Sequence, residues 1–226
     1  MAIAVAQQIS GTGTTSSTSA HFNNTVVAGN AIIVGVMVNQ GTANRVSSVT
    51  DSASNTYSKV GSSQTGTGVE CEIWASFGVA STGAATQTVT VTAQTSDQLI
   101  FDAVEISGLN ASGYDRSVGT SGTGTSLDTG ASATTRQANE ILFVVAAQGN
   151  VRPFTQGSGF TMQQQLNSGS IAAAVETQIV SATGAYDGTM TIDTSQNWAI
   201  LMATFADTAI SGGATAHLLS MMGVGN

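Results

Sequence analysis

Thr86-Gln87-Thr88-Val89-Thr90-Val91-Thr92 sends Val89 and Val91 to one side of an extended chain and the threonines to the other, the period-two signature of a half-solvated β-strand. Working outward, similar alternation or short apolar runs bounded by turn residues occur near 3–8, 25–28, 31–39, 45–50, 56–60, 69–79, 98–107, 140–148, 171–181, 188–193 and 197–205. About a dozen short strands with no helical stretch between them predict an all-β fold, an antiparallel sandwich or barrel. Ala31–Val38 and Asn139–Ala147 are apolar on both faces, which places these two strands centrally, covered on both sides.

The connections carry turn chemistry. Ala28-Gly29-Asn30, Ser81-Thr82-Gly83, Gly108-Leu109-Asn110 and Tyr186-Asp187-Gly188 hold residues that accept positive φ or close side-chain turns. With one proline, Pro153, nothing blocks long ladders, and no fixed-period repeat is visible. Ser10–Ala20 and Gly119–Thr129 are Gly/Ser/Thr-rich and are expected as loops, with a polar edge strand as the alternative. The expected organisation is one sandwich domain over 1–207 and a separate tail over 208–226. Gly212-Gly213 breaks that tail from the last strand, and Leu218, Leu219, Met221, Met222 and Val224 crowd into a terminus that is ordinarily polar. Such residues either fold back on their own sandwich or dock as an arm on a neighbouring subunit.

Composition narrows the function. The chain is 41% hydrophobic but only 8% charged, against roughly a quarter in ordinary soluble domains, so its surface must be built from Ser, Thr, Gly, Asn and Gln. A mean hydropathy of +0.17 excludes a disordered chain. Five Lys and Arg against a formal net charge of −8 disfavour nucleic-acid binding, which needs clustered cations, and docking on anionic lipid. No window offers the roughly 18 consecutive apolar residues of a membrane-spanning helix. The N-terminal Met1-Ala2-Ile3-Ala4-Val5 has no basic region, so synthesis as a cytoplasmic product without export is expected.

Catalytic chemistry is sparse. His21 and His217 lie in no motif, no Gly-x-Ser-x-Gly elbow occurs, and one cysteine with two distant histidines makes no zinc site. Cys71, amid Val69–Trp74, reads as a small buried hydrophobe. Calcium has candidate oxygens at Asp51–Asn55 and at Asp187 or Asp193, but Asp and Asn also close turns unaided and no full calcium loop is present. No cofactor is expected. Glu70 and Glu72 share a strand face and could serve a glycosidase across a cleft; without an aromatic platform they read as a solvated face, and Glu105 points away from the face of Asp102. Trp74 and Trp198 read as core or strand-edge packing, which leaves glycan binding as the secondary expectation.

Several segments together carry a family resemblance: Val49–Tyr57, Glu72-Ile73-Trp74-Ala75, Thr88–Thr92, Val104–Leu109, Ala138–Leu142, Gly157–Phe160 and Trp198–Phe205. Over residues 20–206 the chain resembles a jelly-roll module, similar to concanavalin-A-like sandwiches, that recurs in bacterial surface proteins and phage structural proteins. The resemblance implies a fold and brings no catalytic residues. Standing alone with an apolar tail, the module further resembles phage capsid decoration, or cement, proteins. That likeness implies a non-enzymatic virion protein on the capsid exterior, whose partners are the major capsid protein or other virion subunits. It also implies a homo-oligomer, for which three-fold capsid positions suit a trimer.

Overall fold

The computed structural model describes residues 2–207, which contain no α-helix and form 14 strands. The first half holds β1 (Ala4–Gly13), β2 (Ser17–His21), β3 (Ala31–Val38), β4 (Val46–Asp51), β5 (Ser58–Gly66), β6 (Val69–Ser76), β7 (Thr88–Ala93) and β8 (Leu99–Ser107). They make a five-stranded antiparallel sheet, β1-β8-β3-β6-β5, and a three-stranded one, β2-β7-β4. The first strand lies beside the last, and the chain crosses repeatedly between the two sheets of an antiparallel sandwich. Val89 and Val91 point into this sandwich from β7 while its threonines stay half-solvated, as their alternation requires.

The second half repeats the plan. Strands β9 (Tyr114–Asp128), β10 (Asn139–Gln148), β11 (Phe154–Thr155), β12 (Thr161–Ser168), β13 (Ile171–Ser181) and β14 (Thr189–Ala206) pair in the order β9-β14-β10-β13-β12. β14 breaks register between Thr191 and Gln196; before the break, Thr189–Thr191 pair with Ser126–Asp128, and β11 pairs beside them. Thus β9 does the work of β1 and β2, β14 that of β7 and β8, and β11 that of β4. Val36 lies between Glu72 and Phe101 in the first large sheet, and Val144 between Glu176 and Met202 in the second. The spacing between equivalent residues shrinks from one strand pair to the next, so the duplication leaves no fixed period in the sequence.

The two large sheets face each other across a shared core that includes Ile33, Ile73, Val104, Phe143, Val175 and Phe205. The outer face of the first is covered by β2-β7-β4 through Ile32, Val34, Phe101, Val89 and Val91. The outer face of the second is covered by the bent ends of β9 and β14 and by β11, through Leu142, Val144, Leu127, Met190 and Phe154. β3 and β10 are the middle strands of their sheets and are apolar on both faces because each face has a cover.

Three local expectations change. Gly119–Thr129 is not a loop: it lies in β9 almost to its end, because backbone pairing with β14 supplies what the side chains lack. Its glycines suit a close approach, since a Cβ on Gly122 would lie 2.8 Å from the Trp198 ring. Ser10–Ala20 is likewise mostly strand, with β1 reaching Gly13 and β2 starting at Ser17. Residues 25–28, expected as a strand, form the loop into β3, where the Val27 N–H donates to Glu105 Oε1 at 2.8 Å instead of to a ladder.

Candidate docking surface

Seven of the 13 acidic side chains are buried: Glu70, Glu72, Asp102, Glu105, Asp115, Glu140 and Glu176. The solvated face expected for Glu70 and Glu72 does not exist, because a third layer and the loop before β4 cover it. Glu70 accepts the Arg45 N–H at 3.0 Å; Glu72 accepts the Val46 N–H at 3.2 Å and the Trp74 indole N–H at 2.8 Å. In the second half Glu176, the counterpart of Glu72, accepts the Gly157 N–H at 2.9 Å, just past β11. Glu105 accepts three donors, from Gln7, Val27 and Asn30, on the face opposite Asp102. Asp115 holds Arg116 and Arg136 at 3.5 and 3.4 Å.

Burial raises the pKa of several of these groups. Glu70 rises to about 7, through desolvation and then the neighbouring Glu72 charge. Glu140, next to Asp115, and Glu176 also rise to about 7, chiefly by desolvation. Asp102 rises to about 8 by desolvation alone, and neither of its oxygens has a hydrogen-bond partner. Cys71 is free and fully buried, its thiol pKa pushed well up by the same cause.

The calcium candidate Asp51 is saturated with donors. Its oxygens accept from the N–H groups of Ala53 and Asn55, the Asn55 and Gln87 side-chain amides, and the Tyr57 hydroxyl, all within 3.0 Å. Asp193 faces Arg152 at 3.9 Å. Among the described residues no group of three or more His, Cys, Asp or Glu could hold a metal ion. His21 Nδ1 lies 3.3 Å from the Phe22 carbonyl oxygen, and Trp198 is buried against the outer core of the second half.

With seven acids inside and four of the five cations in ion pairs, the exterior carries less free charge than the composition suggests. One end of the molecule stands out. There β1, β3, β9 and β10 start and β6, β8, β13 and β14 finish, as the pairs Ala4–Ser107, Ile32–Ser76, Asn139–Ser181 and Phe205–Tyr114 show. Of the four large apolar residues exposed in the described chain, three sit at this end: Val27 (56% exposed), Ile179 (53%) and Tyr114 (37%). Three shallow grooves open between them. One of about 330 Å³ runs past Val27, Leu109 and Asp207; one of about 230 Å³ past Ile3, Ile179 and Asp207; one of about 340 Å³ past Phe77, Lys59 and Tyr114. Asp207 and Lys59 are the charged groups lining them.

Asp207 is the last described residue, held where its N–H donates to the Asn139 carbonyl at 3.3 Å. The docking residues expected from sequence, Leu218, Leu219, Met221, Met222 and Val224, lie outside the described residues. Val27, Ile179 and Tyr114 were not expected as a surface, because only the antiparallel register brings strand starts and strand ends together. No family model, curated protein or solved structure matches the chain, so the resemblance to phage modules gains no relative. What stands is an antiparallel all-β sandwich.

Proposed function

We propose that this chain is a virion structural protein, a decoration subunit that stabilises a phage head by binding neighbouring capsid subunits from the outside. The observation that carries the reading is the end around Asp207, where Val27, Ile179 and Tyr114 are exposed and three grooves hold only one carboxylate and one ammonium, on a body that buries seven of its 13 acids. Interface cores are depleted of charge and enriched in apolar and aromatic residues, which is the composition found there. The buried carboxylates support the non-enzymatic side of the proposal, since those of Glu70, Glu72 and Glu105 are taken up by loop and side-chain donors and none lines the grooves at this end.

The test is to mix the purified full-length chain with undecorated heads of the virus that encodes it and to measure bound copies against concentration. Saturable binding that is lost in Val27→Asp and Ile179→Asp, with both variants still folded by circular dichroism, is expected. A folded chain that fails to bind heads at any concentration overturns the reading, and retention on immobilised glycans would instead assign it as an adhesin.

A further inference from the structure

We infer that the groove beside Ile3 and Ile179 is the receptor for the C-terminal segment of a second copy of this chain, so that neighbouring subunits exchange arms at the Asp207 end. This rests on the assembly reading above and adds to it a contact between copies of the chain. Three facts meet here.

The first is place. The segment leaves the sandwich at Asp207, which itself lines the Ile3/Ile179 groove, and Ile179 stands 53% exposed at its rim. A further groove of about 310 Å³, lined by Val5, Thr161 and Gln178, continues from the same Ile179 along the gap between β1 and β12. There is thus an apolar track leading away from the exit, between two edge strands.

The second is chemistry. The groove lining offers Ala2, Ile3, Ile179 and Val180 beside Asn139 and Ser181, with a single carboxylate, Asp207. The segment offers Leu218, Leu219, Met221, Met222 and Val224 with no charged side chain. Leu and Met are the side chains that adapt best to shallow apolar tracks.

The third is spacing, which lets the segment reach a neighbour. A spacer over 208–217, of small residues apart from Ile210 and His217, precedes Leu218. Extended at about 3.3 Å per residue it spans roughly 33 Å, enough to leave one sandwich and reach another. Because the same end carries both arm and receptor, two copies can exchange arms reciprocally about a two-fold axis.

The experiment uses full-length chains carrying one new cysteine each; the native Cys71 is fully buried. Leu219→Cys protein is mixed with Ile179→Cys protein and oxidised, and in parallel with Val151→Cys protein, whose side chain is 41% exposed at the opposite end of the strands. A disulfide between Leu219→Cys and Ile179→Cys chains, absent with Val151→Cys, is the expected result. Equal cross-linking to Val151→Cys, or none to Ile179→Cys, overturns arm exchange. So does a doubly substituted chain that closes its disulfide only within itself. Head binding without the interchain disulfide would overturn the exchange and leave the decoration reading standing. The disulfide without head binding would do the reverse.

Discussion

Replacing Asp102 with Asn should make the protein less sensitive to alkali, by an amount that can be worked out. Asp102 lies on β8 in line with Ile100, Val104 and Ile106, facing the shared core, with Gly35 opposite on β3 and Ser10 on β1. It is 1% exposed and its carboxyl oxygens have no hydrogen-bond partner. Its pKa therefore rises from 3.8 to about 8. A carboxyl whose folded pKa exceeds its unfolded one contributes stability in full below about pH 3.8, and that stability drains away as the pH climbs to about 8. Each tenfold change in proton affinity is worth about 1.4 kcal/mol, so the whole excursion approaches ~6 kcal/mol, an upper limit because any opening to water softens the penalty. Against a total folding stability of about 5–15 kcal/mol that is a large fraction. The Asn side chain cannot ionise, but it buries unpaired amide groups at a cost of about 1–3 kcal/mol. Urea unfolding of both proteins from pH 4 to pH 9 should show the curves crossing, with the variant less stable in acid and more stable by several kcal/mol in alkali. Glu70, Glu140 and Glu176 shift in the same direction but are present in both proteins and cancel in the difference. A stability difference that stays constant across this range would show that Asp102 does not titrate inside the core, and would refute the reasoning.

Three further outcomes follow from the packing. Glu72→Ala removes the acceptor of the Val46 N–H and of the Trp74 indole, and should cost about 1–3 kcal/mol in urea unfolding while blue-shifting no other tryptophan's emission. A Cβ on Gly66 would lie 2.5 Å from the Trp198 carbonyl oxygen, whereas one on Gly68 meets nothing but carries a positive φ of 76°. Gly66→Ala should therefore lower the melting temperature by pushing β5 off β14, and Gly68→Ala should cost only the ~1–2 kcal/mol of left-handed strain. Because both halves contribute to one central core, calorimetry should give a single transition whose calorimetric and van't Hoff enthalpies agree; two separated transitions would show that the halves fold independently.

How much of this was legible beforehand depends on which faces of a strand are covered. The middle positions of β3 and β10 followed from runs apolar on both faces, and the half-wet β7 from its Val–Thr alternation. Glu70 and Glu72 misled because a two-layer sandwich leaves the outer face of β6 wet, while here a further layer closes over it. Asp102 carried a usable signal, since it shares parity with Ile100, Val104 and Ile106, and a carboxyl in that company is buried. β9 carried almost none: its apolar residues are Tyr114, Val118 and Leu127, and it exists through its ladder to β14. The apolar end at Asp207 could not be read at all, because it is assembled from residues as distant as Val27, Tyr114 and Ile179.

The duplication explains why unmet apolar surface appears at that end and not on a face. A large sheet built from runs such as Ala31–Val38 and Asn139–Gln148 is apolar on both sides and needs two covers. Each half makes one cover from its own chain and obtains the other from its twin, so all four sheet faces are closed within one molecule. Stacking layers in this way does nothing for strand ends. At the far end, Gln148 and Asn197 tie the loops down through the Arg152 carbonyl and the Gly149 N–H, and Arg152 and Asp193 bring charge to the surface. At the Asp207 end the ion pairs of Arg116 and Arg136 with Asp115 lie apart from the grooves, which run past Val27, Leu109 and Ile179 with one carboxylate and one ammonium in their lining. A body that has satisfied every face and left apolar grooves at one end is arranged for contact along those grooves.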